Sequence, residues 1–356
     1  MAHPQLHIVF HAVGAGSQGG DAIAIRYVDP GNDSRVVVID SGKTFATAEA
    51  VARTVREAFE ADRIDLLIIT HSDDDHARGA VALIDLIDVT AMWANDPVRD
   101  PLGGLTASAS TVVELLDSAI AAGVKVEPAR LGRSFDGGAV ELVGPSDEYY
   151  EGLLPRIFTE AQRDAALDDR APADTARVAA ALSATTDGTV RDSWSEEVLL
   201  GTRSSTEPSN NASAITLLRL GEWTCLFTGD AGVEALSSAA AALAARRYEA
   251  TAATLVQAPH HGSKKNLDSA SADLLAGPVM TEDNKYTRGM VVISAPASDS
   301  GGHPSKRVVN AFVRRGRRVF TTSGGPFNVV LPSPGEGSGY RIVHPLDFEP
   351  EIPANH

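Results

Sequence analysis

The 356-residue sequence has little of what several functional classes require. Its single cysteine, Cys225, excludes an intrachain disulfide, and its place in the apolar run TCLF is typical of a small buried side chain rather than a catalytic thiol. No apolar run approaches the roughly 18 residues of a membrane-spanning helix. The start, MAHPQLHIVF, has neither the basic region nor the cleavage site of a signal peptide. We therefore expect a cytoplasmic protein without a membrane partner.

Positive charge is also scarce. The chain holds 31 Lys and Arg against 47 Asp and Glu, and its net charge of -16 excludes a protein that coats nucleic acid by neutralising phosphates. Segment 146–208 is acidic, with six Arg and no Lys. One later stretch is basic, which predicts either a local anion site or the solvated face of a helix. Its residues are Lys306, Arg307, Arg314, Arg315, Arg317 and Arg318.

The order of apolar patterns predicts an α/β fold. Strands and helices alternate in residues 1–145 and again in residues 210–345, and the second half opens with a hairpin that turns at Gly221 and Glu222. We expect two similar halves packed face to face in a single domain over residues 1–356. Segment 146–208, with helical patches and no convincing strand, is predicted to be an insertion or lid. The loop 332–339 and the C-terminal tail are expected to be peripheral.

The strongest motif is THSDDDH at residues 70–76, directly after the apolar run LLII. Two imidazoles and three carboxylates are costly to gather at the end of a strand unless a positive charge lies among them. A metal ion bound by His71, Asp73, Asp75 and His76 meets that need. An acidic turn that caps the next helix would account for the pattern as well.

Two further strand ends carry polar residues. LFTGD ends at Asp230, and VQAPHHGSK contains His260, His261 and Lys264. Alone, such an Asp is usually a turn residue, and paired histidines usually lie at the surface or are satisfied in the core. Together with residues 70–76 they would supply a bridging carboxylate and a further imidazole.

In this combination the chain resembles the metallo-β-lactamase superfamily and, within it, the metallo-hydrolase domain of ComEC-type competence proteins. The resemblance extends over nearly the whole chain and implies an αββα sandwich, with two mixed sheets flanked by helices and metal at one edge. The matching elements are VGAG at 13–16, GDAI at 20–23, DSG at 40–42, HSDDDH at 71–76, Asn210 and Ser213, TGD at 228–230, PHHGSK at 259–264, IS at 293–294 and GHPS at 302–305.

The resemblance also implies two divalent metal ions and a role for each ligand. One ion would be held by Asp75, His76 and His260, with His261 as the alternative to His260. The other would be held by His71 and Asp73, and Asp230 would bridge the two. Asp40 would orient a ligand imidazole and Asp21 would brace the same region.

The chain departs from the widespread pattern at two points. Asp73 stands where His is usual, and no His occurs between His76 and His260 to serve as a further ligand. The resulting site is rich in oxygen, which favours Mn²⁺ or Mg²⁺ over Zn²⁺. We expect Mn²⁺ as activator, with Zn²⁺ as the alternative. The vacant ligand position is expected to be taken by an amide or hydroxyl from Asn210, Asn211 or Ser213.

These features predict a phosphodiesterase or nuclease. Two metal ions about 4 Å apart can share one water, lower its pKa and hold both reacting oxygens of a phosphoryl centre. Asp75 would belong to the catalytic centre, and Lys264 and His303 would neutralise the phosphate or protonate the leaving oxygen.

Because the insertion would repel a long polyanion, we expect a nucleotide or a short or single-stranded phosphodiester as substrate rather than duplex DNA. The insertion could also contact a partner protein. Two alternatives stay open: a hydrolase of lactones, thioesters or β-lactams, and a binding or scaffold protein whose catalysis has faded.

Overall fold

The computed structural model describes residues 5–14, 19–29, 31, 33–97, 107–168, 189–296, 302–333 and 343–353. Strands and helices alternate through both halves of the chain. The N-terminal half consists of β1 (Gln5–Phe10), β2 (Ile23–Val28), β3 (Ser34–Ile39), α1 (Phe45–Arg53), β4 (Arg63–Ile68), α2 (Asp74–Leu86), β5 (Asp88–Trp93), α3 (Ala107–Ala121), β6 (Lys125–Glu127), β7 (Ser134–Phe135) and β8 (Val140–Gly144).

The remainder of the chain carries the insertion, the second half and the tail. Its elements are α4 (Asp147–Asp168), β9 (Thr189–Arg191), α5 (Pro208–Asn211), β10 (Ile215–Leu220), β11 (Trp223–Phe227), α6 (Val233–Ala245), β12 (Leu255–Gln257), α7 (Ser269–Ala276), β13 (Met290–Ile293), α8 (Lys306–Arg314), β14 (Arg318–Thr321), β15 (Phe327–Leu331) and β16 (Glu351–Pro353).

Two mixed sheets of seven strands form the centre of the molecule. Their orders are β15-β1-β2-β3-β4-β5-β6 and β14-β13-β12-β11-β10-β8-β7. Strands β3 to β6 are parallel in the first sheet and β11 to β14 in the second, while the other pairs are antiparallel. Strand β15 of the second half joins the first sheet, and β7 and β8 of the first half join the second sheet. The predicted α/β fold with two mixed sheets and flanking helices is therefore confirmed.

Side chains alternate between the two faces of each strand, and this produces four layers. Leu66 and Ile68 of β4 lie in the buried cluster between the sheets, where the rings of Phe10 and Phe227 are 6.3 Å apart. Leu67, between them in sequence, packs on the other face against helices α1, α2 and α3. A corresponding cluster joins the second sheet to α6, α7 and α8. Cys225 is fully buried in the central layer, as expected.

Expectations for the insertion and the tail need correction. Segment 146–208 does contain a strand, because β9 pairs antiparallel with β16. The tail is therefore not peripheral, and Ile352 on β16 is fully buried. Residues 169–188 of the insertion and residues 334–339 of the loop 332–339 lie outside the described residues. In the described part of the chain, no helix combines the length and the apolar character needed to cross a bilayer.

The basic stretch after residue 305 is mostly buried rather than solvated. Arg314 pairs with the buried Asp192 and donates to main-chain carbonyls at the end of the insertion. Arg315 pairs with Glu197 and Asp273, and Arg317 donates to the carbonyl oxygen of Ala253 at 2.6 Å. Neither interpretation of this stretch, an anion site or a solvated helix face, holds for these three guanidinium groups, because internal acceptors already occupy them.

Candidate metal centre

Polar residues that follow four strands meet at one edge of the sandwich. Asp40 follows β3, residues 70–71 follow β4, Asp230 follows β11 and residues 260–261 follow β12. Strand β3 is parallel to β4 and β11 is parallel to β12, so the carboxyl ends of each pair lie at the same edge of a sheet. The packing of the two sheets then brings both edges together.

The N-terminus of α2 supplies the rest of the site. Asp73 precedes the helix with an extended backbone, and Asp75 and His76 lie in its first turn. The positive end of the helix dipole favours carboxylates there. Asp74 faces another way, since its carboxylate accepts a hydrogen bond from Thr111 at 2.8 Å. The helix begins at residue 74, so the second half of the motif lies on helical backbone.

The carboxylate of Asp230 lies at the centre of the site. Its Oδ2 is 3.4 Å from Nε2 of His76, 3.6 Å from Nε2 of His261 and 3.7 Å from Nε2 of His260. Three imidazoles thus approach a single carboxylate oxygen.

Two more carboxylates lie beside the imidazoles. Oδ2 of Asp75 is 3.8 Å from Nε2 of both His76 and His261, and Oδ2 of Asp73 is 3.5 Å from Nε2 of His71. The structure therefore brings together all seven residues that the sequence analysis proposed as metal ligands.

The far nitrogens of the imidazoles are held by neighbouring groups. Nδ1 of His76 donates to Oδ2 of Asp40 at 2.8 Å, and Asp40 also accepts hydrogen bonds from the amide and hydroxyl of Thr70. Nδ1 of His261 donates to the carbonyl oxygen of Ser294 at 3.0 Å. Each bond leaves Nε2 facing the centre, and such contacts fix the tautomer and orientation of ligand imidazoles.

The segment before β10 supports two other imidazoles. Oγ of Ser213 is 3.3 Å from Nδ1 of His71, and Nδ2 of Asn210 is 3.3 Å from Nδ1 of His260. Asn211 differs, because both ends of its amide bind main-chain groups, at 3.1 and 3.2 Å. Asn211 is therefore occupied in holding the loop, whereas Ser213 and Asn210 contact the imidazoles.

Asp21 belongs to a buried polar network under the site. Gln257 donates from Nε2 to Oδ2 of Asp21 at 2.6 Å and accepts from the amides of Thr228 and Gly229. Burial raises the pKa of Asp21. Neither Gln257 nor Ser294 was assigned a role from the sequence, although Ser294 lies in one of the matching elements. Their shared signal is that each lies at or directly after the end of a strand that leads into the site.

The model of the metallo-beta-lactamase superfamily matches residues 19–278. The chain belongs to this superfamily. Among solved structures, a mutant of CmlA beta-hydroxylase is 12% identical with a TM-score of 0.41, over 93% of this chain and 54% of that one. The long form of RNase Z from yeast is 9% identical with a TM-score of 0.41, over 91% and 42%. A metallo-beta-lactamase from Hirschia baltica is 15% identical with a TM-score of 0.30, over 67% and 81%.

This chain thus spans about half the length of CmlA beta-hydroxylase and less of RNase Z. No curated protein sequence matches it significantly. Members of the superfamily are typically metallo-hydrolases that bind divalent metal ions.

The residues of the site fit such ions. Nε2 of His71, His76 and His261 and Oδ1 of Asp230 are buried without a hydrogen-bond partner in the described part of the chain. Unpartnered buried polar atoms are costly, and imidazole nitrogens and carboxylate oxygens are common metal ligands. Among the described residues, ligand atoms lie within 4.8 Å of one another in four overlapping groups, two of which are His71, His76 and Asp230, and Asp75, His76 and His261.

The two adjacent histidines occupy different positions. His261 lies beside Asp75 and His76. From the sequence, His260 was the residue expected at this position. Both histidines have a left-handed backbone, with φ of 47° for His260 and 54° for His261. Such a conformation is strained for a side chain other than glycine and often occurs at functional sites. This turn explains the difference, because it directs the second imidazole rather than the first toward Asp75.

Charge inside the site shifts several pKa values. Burial lowers the pKa of His76, but Asp230, Asp40 and Asp75 outweigh burial and raise it well above its ordinary value. Burial likewise opposes a charged His261, yet Asp230 and Asp75 raise its pKa to about 9. Burial raises the pKa of Asp230, but the neighbouring imidazoles bring it well below its usual range. The carboxylates therefore attract positive charge to this point, as a metal site requires.

A cleft of about 260 Å³ opens over the site. Inside it, the rings of His260 and His303 stack with centroids 6.4 Å apart. Lys264 was expected to face the phosphate, but it is not among the described residues that line this cleft. Its pKa is lowered mainly by burial and also by the positive charges of Arg307 and Lys265. The lining residues are Gly19, Lys43, Asp75, His260, His261, Pro296 and His303.

Proposed function

We propose that this protein is a two-metal hydrolase, a phosphodiesterase or nuclease that acts on nucleotides or on short or single-stranded substrates. The observation that carries the proposal is the ligand set, in which the carboxylates of Asp73, Asp75 and Asp230 alternate with imidazoles. A site of mixed carboxylates and imidazoles suits Mn²⁺ or Zn²⁺, and a pair of such ions suits phosphoryl chemistry. The resemblance to ComEC-type metallo-hydrolase domains supports the same reaction.

The geometry supports one assignment of ligands. Asp75, His76 and His261 would hold one ion, His71 and Asp73 the other, and Asp230 would bridge them. His260, whose Nε2 lies 3.7 Å from Oδ2 of Asp230, is the candidate for the ligand position that the sequence leaves vacant. When bound, the two ions would supply an acidified water and stabilise charge on the phosphoryl oxygens.

The other residues of the site hold and position these groups. Asp40 and the Ser294 carbonyl keep two imidazoles turned toward the centre. His303 lines the cleft beside His260 and is the candidate to protonate the leaving oxygen. Lys264 would act on substrate only from outside this cleft.

The test is hydrolysis of bis-p-nitrophenyl phosphate and of single-stranded oligonucleotides by protein purified without chelator, with Mn²⁺, Mg²⁺ or Zn²⁺ added. Metal content is measured on the same preparation. We expect about two ions per chain and turnover that depends on Mn²⁺. Metal without phosphodiester turnover, together with hydrolysis of a lactone or thioester, would replace the proposal with carboxyl-ester hydrolysis. A chain that binds no metal would support the scaffold alternative.

A further inference from the structure

We propose that Lys43 and Phe45 form a subsite for single-stranded nucleic acid beside the metal centre. Lys43 would bind a phosphate next to the scissile one, and Phe45 would stack on a base. This inference rests on the proposed phosphodiesterase function and names the part of the substrate that the chain recognises outside the reacting phosphate.

Lys43 is the one lysine or arginine among the described residues that line the cleft. It is half-buried there, in the same lining as Asp75, His260 and His261. It has no ion pair with any carboxylate in the described ranges. In a chain with a net charge of -16, an uncompensated ammonium group at the mouth of an active site is a specific place for an anion.

The loop that carries Lys43 is tied to the metal ligands. The amide of Gly42 donates to the carbonyl oxygen of Asp21 at 2.8 Å, and the amide of Ser41 donates to the carbonyl oxygen of His76 at 3.0 Å. The amide of Gly79 in α2 donates to the carbonyl oxygen of Gly42 at 2.8 Å. These bonds hold the backbone just before Lys43 in a fixed position relative to the metal site.

Phe45 follows two residues later, at the start of α1. Thr44 caps that helix by accepting a hydrogen bond from the amide of Thr47, so the position of Phe45 is also defined. Its side chain is 60% exposed, the most of any large hydrophobic residue in the part of the chain that the structure describes. A cation that lines the cleft, followed two residues later by an exposed aromatic ring, is a combination that suits single-strand binding.

This chemistry selects single strands over duplexes. A base can stack on an aromatic ring only when its face is not covered by a neighbouring base, and stacking accepts any base. The subsite would therefore confer a preference for unpaired nucleic acid without a preference for sequence. The overall negative charge of the chain has the same effect, since it disfavours a long polyanion.

The experiment measures equilibrium binding of a fluorescent single-stranded phosphorothioate oligothymidylate to the full, metal-loaded chain. We expect Lys43→Ala and Phe45→Ala each to weaken binding about tenfold, a typical loss for such contacts. Lys43→Arg and Phe45→Trp should retain most of the affinity. Controls are Lys125→Ala and Ile120→Ala, since Lys125 is exposed and Ile120 is 54% exposed, and both lie outside the cleft lining. Melting temperatures of all variants verify folding.

Kinetic data separate this inference from the proposed function. Lys43→Ala and Phe45→Ala should raise KM for the oligonucleotide more than for bis-p-nitrophenyl phosphate, which has no second phosphate or base. If all variants bind within twofold of the parent chain, or if duplex DNA binds as tightly, the subsite proposal is wrong even where turnover is seen. If binding depends on both residues but no phosphodiester is cleaved, the subsite holds and the proposed function fails.

Discussion

Asp40 Oδ2 accepts a hydrogen bond from Nδ1 of His76 at 2.8 Å, and this contact joins the end of β3 to the first turn of α2. Asp40 is fully buried and has a left-handed backbone with φ of 56°. Such strain in a residue other than glycine persists only where the surroundings enforce it. Here the amide and hydroxyl of Thr70 hold the same carboxylate. His76 is thereby presented to Asp230 through Nε2, which explains how a buried imidazole stays ready for a metal ion.

Removing the central carboxylate should abolish activity. We expect Asp230→Asn to lose bound metal and to lower phosphodiester turnover at least about 100-fold, because three imidazoles approach this one carboxylate. The matched control is Asp74→Asn, in the same motif but directed toward Thr111, which should retain both metal and turnover. Metal analysis and kinetics measure the two effects. Equal losses in both variants would contradict the assignment.

The adjacent histidines should differ in which ion they affect. His261→Gln removes a group next to Asp75 and His76, and we expect it to lose about one metal ion per chain and nearly all turnover. His260→Gln should weaken the other ion, so that activity is restored by more added Mn²⁺. Titration with Mn²⁺ followed by activity distinguishes the two. The same response from both variants would show that the histidines share one site.

Metal should stabilise the protein more at high pH. In the metal-free fold the pKa of His261 is raised to about 9. Protonation of His261 therefore stabilises the folded state fully below about pH 6.5, the ordinary pKa of histidine, and this stabilisation is lost as the pH rises through 9. A metal ion must displace that proton, so its affinity rises over the same interval. We expect the increase in melting temperature on adding Mn²⁺ to be larger near pH 9 than near pH 6. Thermal melts with Mn²⁺ or with chelator test this, and a gain independent of pH would contradict it.

Helix α2 depends on a glycine for its close approach to the loop at residues 40–42. A Cβ on Gly79 would lie 2.3 Å from the carbonyl oxygen of Ser41, so Gly79→Ala should lower the free energy of unfolding by about 1–3 kcal/mol and displace the motif. Gly152 in α4 is the matched control, since a Cβ there meets nothing within 4 Å. Gly152→Ala should raise that free energy by about 0.5–1 kcal/mol. Urea unfolding measures both.

The ion pair between Arg314 and Asp192 should be important for stability but not for catalysis. Arg314→Leu leaves the buried Asp192 without its positively charged partner, with only the hydrogen bond from Asn310, and should cost about 3–5 kcal/mol in the free energy of unfolding. Arg318→Ala, at an exposed position four residues later, should change it by less than about 0.5 kcal/mol. A small effect of Arg314→Leu in urea unfolding would show that the insertion and α8 are not coupled in this way.

Much of the fold and the candidate site could be predicted because their signals are local. Apolar patterning along β3, β4, β11 and β12 sets the order of strands, and polar residues at the ends of parallel strands must meet at one edge of a sheet. His71, Asp75 and Asp230 could therefore be expected near one another before any coordinates. The family model over residues 19–278 is consistent with this interpretation.

The sequence by itself determined the α/β order and the edge at which the polar motifs lie. The tertiary structure alone decided which histidine stands beside Asp75, that Lys43 rather than Lys264 lines the cleft, and that Arg314 is internal. These outcomes depend on backbone turns and on contacts between distant residues. Arg314 and its partner are 122 positions apart, and no local pattern of charge or hydropathy reports a pairing over that separation.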